Sequence, residues 1–232
     1  MILAVDIGNS NLVIGGIQNE NILFEARLRT DATKTSDEYC IDLKMILEVY
    51  GVKAEQIEGS IIASVVPQVL NSVKTALLKL TGKQSLVVGS VAALREHKPP
   101  LIVVDMGTAT TMMVLDATGA FIGGSISPGV KISMDALTER TALLPGLQLD
   151  QPKRAIGRNT IDCMRSGLML GAACMLDGMV ERMEEELGQK ATVIVTGGIA
   201  RFVTPMCKTP VIYDKDLLLK GLSILYRDNV KN

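Results

Sequence analysis

The feature that most restricts the fold of this chain is a pattern that occurs twice. Each copy has a run of aliphatic residues, an aspartate, any residue, a glycine and then small polar side chains. The first copy spans Ile2 to Asn11 and the second spans Ile102 to Thr111. A single copy could be no more than a turn, because Asp and Thr side chains often bond their own backbone. Two copies in the same order predict a duplicated fold.

The second copy has the composition of a phosphate-binding turn. Leu101 to Val104 is an unbroken aliphatic run, which predicts a central strand that is buried on both faces of a mostly parallel sheet. Gly107 lets the backbone approach a ligand closely, and Thr108 begins a series of small hydroxyl donors. A carboxylate such as Asp105 suits a phosphate site only where a cation lies between the two negative groups.

Local signals predict the remaining elements. Both copies run on into further strands of a hairpin, and a capping box formed by Thr35 and Glu38 predicts a helix start. Pro67 predicts a second helix start at the first helical position. The other predicted elements are strands at Leu12–Ile17, Met112–Leu115, Phe121–Gly124, Ser60–Val66, Ser85–Val88 and Ala191–Val195, and helices at Ile161–Leu187, capped by Asn159 or Thr160, and Leu217–Tyr226.

Composition and charge exclude several classes of function. A chain of 232 residues with 47% hydrophobic content can bury one large core or two small ones, and the duplication favours two halves, residues 1–98 and 99–232. The net charge of −1 and the lack of a basic cluster with interleaved aromatic residues argue against a nucleic-acid partner. Asp6 interrupts any signal-like N-terminus, and we expect a cytoplasmic protein without a membrane span.

The cysteines and the single histidine restrict the chemistry further. Cys40, Cys163, Cys174 and Cys207 are widely spaced with no Cys-x-x-Cys pair, so we expect reduced core residues rather than a disulfide framework or a zinc site. Because His97 is the only histidine, a Ser-His-Asp triad or a histidine metal centre would depend on that one side chain.

The repeated turn is the pattern of the actin, hexokinase and Hsp70 superfamily, and further motifs narrow the resemblance. From Met1 nearly to Asn232 the chain resembles the type III pantothenate kinases. The resemblance implies an α/β fold of two ribonuclease-H-like halves around a nucleotide cleft. The matching motifs, in order, are Val65-Val66-Pro67, Asp105 to Thr111, Gly123 to Gly129, Leu143-Leu144-Pro145, Gly157-Arg158-Asn159-Thr160 and Thr196-Gly197-Gly198-Ile199-Ala200.

The resemblance also implies a reaction and a set of roles. The reaction is transfer of the γ-phosphoryl group of ATP to pantothenate, the first step of coenzyme A biosynthesis, with Mg²⁺ and a monovalent cation, K⁺ or NH₄⁺. Asp105 and Asp6 would bind the cations, and Thr160 would reach the pantothenate of a neighbouring subunit in a homodimer. The residues implied in nucleotide binding are Asp6, Ile7, Gly8, Asn9, Ser10, Asn11, Thr108, Gly197 and Gly198.

The chain departs from the family at one place. The family has an aromatic-bearing loop and then a Gly-x-Asp-Arg motif, whose aspartate is the catalytic base. At this place the present chain runs from Gly89 straight into Ser90 and Val91. About two dozen residues are missing, judged by the usual sizes of a loop and a helix. Either the protein lacks them, or the sequence as written omits a substrate loop; the usual mobility of such loops favours the second explanation.

The alternative function belongs to another class. A family member that truly lacks the base and the pantothenate contacts would be a nucleotide-binding accessory regulator without kinase activity. A Gly-x-Asp-Arg segment beside Gly89 would support the kinase, and its absence would support the regulator.

Overall fold

A computed structural model gives the structure of residues 1–230 except positions 20, 65, 89–96 and 141–143. Within this part of the chain, each aliphatic run that precedes an aspartate forms the middle strand of a five-stranded sheet. The described residues divide into two compact units, Met1–Ala93 with Asp216–Asn232, and Leu94–Lys215. The hairpins and the central strands predicted from the aliphatic runs are therefore confirmed.

The first unit is built on a mixed sheet. Its strand order is β3-β2-β1-β4-β5, in which β1 pairs antiparallel with β2 and parallel with β4. The carboxyl ends of β1 and β4 consequently lie at the same edge of the sheet, next to the turn that follows β1. The strands are β1 Ile2–Ile7, β2 Asn11–Gln18, β3 Asn21–Arg29, β4 Gly59–Ser64 and β5 Ser85–Val88.

The second unit repeats this topology. Its sheet has the order β10-β9-β6-β7-β8, and β6 pairs antiparallel with β7 and parallel with β9. Each strand therefore has a counterpart at the same place in the first sheet, which confirms the predicted duplication. The strands are β6 Leu101–Met106, β7 Ala109–Leu115, β8 Phe121–Pro128, β9 Thr192–Thr196 and β10 Ile212–Tyr213.

The helices begin where the sequence signals placed them. The Thr35 hydroxyl accepts from the Glu38 amide while the Glu38 carboxylate accepts from the Thr35 amide, which closes the capping box at the start of α1. Asn159, and not Thr160, caps α4 by accepting from the Asp162 amide. The helices are α1 Ser36–Val49, α2 Pro67–Thr81, α3 Val130–Arg140, α4 Thr160–Arg165, α5 Gly171–Leu187, α6 Ala200–Val203 and α7 Leu217–Val230, with a π-helical turn at Ser166–Leu170 and 3₁₀ turns at Ala54–Gln56 and Thr204–Met206.

The closing helix α7 differs from the sequence-based division of the chain. That division placed all of residues 99–232 in the C-terminal half, whereas α7 belongs to the first unit. The reason is its apolar face: Leu219 and Leu222 pack in a cluster with Ile2, Ala4 and Ile61 on the sheet formed by β1 and β4. The chain thus returns to its first sheet after completing the second.

The helix from Thr160 to Leu187 is long and apolar. It has 28 residues and by length and composition alone could cross a membrane, which the sequence analysis did not expect. Its apolarity has a structural cause, since Met169, Ala173 and Leu176 are fully buried in the core of the second unit. Only 39% of its most apolar window is buried, so part of its surface is apolar and exposed.

Candidate functional site

The first aspartate turn lies at the carboxyl end of β1. Asp6 is half-buried and sits in the ladder between Val13 of β2 and Ala63 of β4. The backbone then reverses at Gly8, whose amide donates to the Asn11 carbonyl at 3.0 Å. Asn9, Ser10 and Asn11 are exposed on this turn, so their side chains lie at the surface.

Thr30 braces the first turn, and the sequence analysis did not identify it. Its amide donates to the Ser10 carbonyl at 3.0 Å, and its hydroxyl donates to the Gly8 carbonyl at 2.6 Å. These two bonds fix the carbonyls on one side of the turn and leave the side chains of Asn9 and Ser10 outside. The only sequence signal was a polar residue directly after β3, which is too common to identify a function.

The second turn lies at the carboxyl end of β6 and is tighter. The Gly107 amide donates to the Ala109 carbonyl at 3.0 Å, and the Gly129 amide donates to the Thr108 carbonyl at 3.1 Å. A side chain at Gly129 would collide with the Gly107 carbonyl, at 2.6 Å, so the segment after β8 packs backbone to backbone against the turn. The end of β8 and the second turn are therefore held together by direct backbone contact.

The structure brings Asp105 next to the Gly-Gly turn. Asp105 pairs with Thr196 in the parallel ladder of β6 and β9, and Gly197 follows directly. Gly197 has a φ of +101°, and a Cβ there would lie 2.7 Å from Asp105 Oδ1 and 2.6 Å from the Met106 carbonyl oxygen. Only glycine fits this position, because both the backbone conformation and the space exclude a side chain.

The Asp105 carboxylate is half-buried at the carboxyl end of β6. Burial raises the pKa of Asp105, and no hydrogen bond or cation among the described residues offsets the cost of its charge. A buried carboxylate without a partner is unfavourable unless a cation or a proton neutralises it. The donor set therefore fits a cation that is bound by one carboxylate and completed by oxygen atoms of a ligand and of water.

The other predicted ligands, Asp6 and Thr160, do not form a cluster with Asp105. No cluster of three His, Cys, Asp or Glu side chains occurs in the part of the chain that the structure describes, so neither Asp6 nor Asp105 belongs to a ready-made protein cage. That arrangement is usual for Mg²⁺, which keeps water and phosphate ligands. Thr160 is exposed at the first position of α4. Among the described residues, no hydrogen bond or ion pair joins Thr160 to Asp105 or Gly197.

Two surface cavities lie away from both turns. One of about 750 Å³ runs beside α5 and is lined by residues such as Asp177, Lys190 and Lys208. The other, of about 510 Å³, lies beside Met1 and Tyr226. Neither includes a residue of the two aspartate turns, so the candidate site rests on the geometry of the turns and not on cavity size.

Two of the four cysteines are not core residues, which corrects that part of the sequence-based expectation. All four are free among the described residues; Cys163 and Cys174 are exposed, while Cys40 and Cys207 are half-buried and pack against the core of their own unit. Cys163 and Cys174 lie on the outer face of the long helix, opposite Met164 and Ala173 that face the core. The helical period therefore places Cys163 and Cys174 at the surface. At Cys207, burial raises the pKa of the thiol to about 11.

The duplicated sheet and the two turns define a protein with the actin-like ATPase fold. MreB5 of Spiroplasma citri bound to ADP has a TM-score of 0.61 at 11% identity and covers 100% of this chain and 98% of that one. A conserved Baf family protein from Campylobacter jejuni has a TM-score of 0.62 at 18% identity, with 99% and 100% covered. Identities this low establish the fold alone.

Sequence comparison gives the family. The profile described as type III pantothenate kinase matches residues 2–93 and 86–182. The type III pantothenate kinase of an Exiguobacterium species is 38% identical over 255 positions, with 100% of both chains covered. That of Moorella thermoacetica is 36% identical over 253 positions, with 99% of this chain and 100% of the relative covered. The chain belongs to the type III pantothenate kinase family.

Both comparisons also show a discontinuity. The 255-position alignment is longer than this chain by 23 positions, at which the relative has residues and this chain has none. The family profile matches in two pieces that meet at residues 86–93. The discontinuity therefore falls where the sequence analysis placed the missing segment; residues 89–96 lie outside the described part of the structure.

The unpartnered charge of Asp105 predicts a pH-dependent effect on stability. In buffer without K⁺ or Mg²⁺, Asp105→Asn should raise the free energy of unfolding at pH 7, because it removes a charge that burial makes unfavourable. The folded-state pKa lies above the ordinary value of 3.8, so the wild-type penalty appears as the pH rises from that value through the folded pKa. Urea unfolding between pH 3.5 and 8 measures the difference, which should shrink towards the acidic end.

Asp116→Asn is the matched control with the opposite sign. The Thr118 hydroxyl, at 2.6 Å, and the Thr118 amide, at 2.8 Å, hold the pKa of Asp116 below its ordinary value. Its contribution to stability is present at neutral pH and is lost as the pH falls through that lowered pKa. Asp116→Asn should therefore destabilise the protein at pH 7. The account of Asp105 is wrong if Asp105→Asn does the same.

Proposed function

We propose that this protein transfers the γ-phosphoryl group of ATP to pantothenate and forms 4'-phosphopantothenate in the cytoplasm. The observation that carries the proposal is the unpartnered Asp105 carboxylate, held against the Gly197 backbone in a chain that matches type III pantothenate kinases over its full length. A site with a half-buried carboxylate that no described residue neutralises suits a bound cation, and phosphoryl transfer requires cations to neutralise phosphate charge.

Each turn has a distinct role in this proposal. The backbone at Gly8 and the exposed Asn9, Ser10 and Asn11 donate to phosphate oxygens, while Asp6 orients Mg²⁺; Ile7 contributes backbone only, since its side chain is fully buried. Asp105 binds the monovalent cation, K⁺ or NH₄⁺, and Thr108 contacts ATP. Gly197 and Gly198 offer bare backbone against which the ribose or adenine lies. Phosphoryl transfer asks the protein mainly for such alignment and charge neutralisation.

The missing segment sets the expected rate. The family's base lies in the stretch that this chain lacks between Gly89 and Val91. A general base contributes a factor of about 10²–10⁴ to a rate, whereas positioning and electrostatics supply most of phosphoryl-transfer catalysis. Asp105 is a poor substitute, because a bound cation stabilises its charged form and so weakens it as a base. A chain of this sequence should therefore be a slow kinase.

The proposal predicts measurable but slow turnover. Purified protein with ATP, Mg²⁺, K⁺ and pantothenate should form phosphopantothenate about 10²–10⁴-fold more slowly than the Exiguobacterium relative assayed beside it. Replacing K⁺ by Na⁺ should lower the rate, and in Asp105→Asn the rate should no longer respond to K⁺. Asp116→Asn serves as the control on an exposed carboxylate. A protein that binds nucleotide but forms no phosphopantothenate would contradict the kinase proposal.

The intact mass of the purified protein shows whether the segment exists. A mass of 24.9 kDa, which is the mass of this sequence, means that the chain lacks the base and that the slow rate applies. A mass a few kilodaltons higher means that an omitted substrate loop supplies the base, and a rate close to that of the relative is then expected. Mass spectrometry separates these cases because 23 residues far exceed its error.

One observation favours a second candidate function. The relative has residues at 23 aligned positions where this chain has none, and no Gly-x-Asp-Arg motif follows Gly89, while both nucleotide turns are present. A chain of 24.9 kDa that binds ATP but neither binds nor phosphorylates pantothenate would be a nucleotide-binding accessory regulator.

We also propose a homodimer in which Thr160 contributes to the site of the neighbouring subunit. Large apolar side chains of the second unit are exposed, with Phe121 at 60%, Ile126 at 80% and Ile156 at 81%. Beside the long helix, Gly167 and Gly171 border open space in which another helix could approach closely. Light scattering should give twice the chain mass of 24.9 kDa. A monomer at micromolar concentration would contradict the shared site.

A further inference from the structure

Residues 151–159, which we call the pre-helix segment, have few contacts that could hold them in one conformation. The segment has no regular secondary structure and leads directly to Thr160. Ala155, Ile156 and Arg158 are exposed, so burial contributes little to its order. A segment with few buried contacts needs specific hydrogen bonds if it is to hold one conformation.

A single side chain provides that bond. Ser166 is 8% exposed, and its hydroxyl donates to the Ala155 carbonyl at 2.5 Å. Among the described residues it makes the only hydrogen bond that ties residues 151–158 to a helix. A serine inside a helix usually bonds a carbonyl of its own preceding turn. Ser166 instead reaches a residue eleven positions earlier in the chain.

The local helix geometry agrees with a specialised position. Ser166 is the first residue of the π-helical turn Ser166–Leu170, which interrupts the long helix between α4 and α5. Single π-turns of this kind inside an α-helix occur frequently at functional sites. Leu168 and Met169 of the same turn are buried in the core of the second unit, so the turn is firmly held.

A second contact completes the attachment. A Cβ at Gly157 would lie 2.6 Å from the Cys163 Cα and 2.7 Å from the Asp162 carbonyl carbon, so the Gly157 backbone packs directly on the first turn of α4. The Ser166 bond holds Ala155 on one side of this contact and the Asn159 cap holds the other. The path of the backbone into Thr160 is thus fixed from both sides.

We propose that Ser166 is a positioning residue for pantothenate binding, acting through its hydrogen bond to Ala155 on the segment that presents Thr160. The inference rests on the proposed contact between Thr160 and pantothenate. Ser166 touches no substrate itself; it acts by keeping the pre-helix segment in the binding conformation. Loss of the bond should therefore weaken pantothenate binding and leave ATP binding unchanged.

The test uses three variants. Ser166→Ala removes the hydroxyl, and Ser166→Thr keeps one as the rescue variant. Ser85→Ala is the matched control, because it removes another buried hydroxyl, bonded to Ser60 at 2.6 Å in the first unit, with a comparable effect on global stability. In Ser166→Ala the KM for pantothenate should rise about fivefold, the equivalent of one neutral hydrogen bond, with kcat and the KM for ATP within twofold of wild type. Ser85→Ala should change none of these values.

Hydrogen exchange supplies a readout that does not need turnover. The Asp162 and Cys163 amides donate to Asn159 at the end of the segment, each at 2.9 Å, and so report how firmly it is held. They should exchange about fivefold faster in Ser166→Ala than in wild type, and Ser166→Thr and Ser85→Ala should match wild type. Equal exchange in Ser166→Ala and wild type overturns the positioning role, whether or not the protein is a kinase. If the segment loosens in Ser166→Ala but saturating pantothenate fails to protect it in wild type, the link to this substrate is overturned separately.

Discussion

The candidate site depends on one electrostatic constraint, the charge of the half-buried Asp105. The carboxylate lies at the end of the central strand β6, and the described residues offer it neither a hydrogen bond nor a cation. Partial burial makes this charge unfavourable at neutral pH, so a partner from outside the described residues would stabilise it. A cation that accompanies phosphate would neutralise this charge. The backbone of Gly197 packs so closely beside the carboxylate that a side chain at this position would collide with it.

The duplication gives a physical basis for comparing the two turns. Both follow the middle strand of a sheet with the same strand order, yet they are braced differently. Thr30 holds the first turn from the end of β3, whereas Gly129 packs on the second turn from the end of β8. Each support comes from the third strand of its hairpin. The topology therefore provides the same scaffold twice, and we propose that the first turn contacts phosphate while the second binds a cation.

Much of this arrangement could be predicted from the sequence, because the relevant signals are local. The two aliphatic runs, the Thr35 capping box and Pro67 each act within a few residues, and the helices and strands begin close to where these signals placed them. Contacts between distant residues left no such signal. Thr30, Ser166 and the return of α7 to the first sheet depend on packing that only the fold creates, and the outward direction of Cys163 and Cys174 depends on the phase of one helix.

The central claim is that the Asp105 carboxylate binds a cation that accompanies ATP, and calorimetric titration of the protein with Mg-ATP in K⁺ buffer tests it most directly. Asp105→Asn should weaken ATP binding by about tenfold or more, equivalent to 1.4 kcal/mol, while Asp116→Asn should bind as wild type does. Unchanged affinity in Asp105→Asn would contradict the claim.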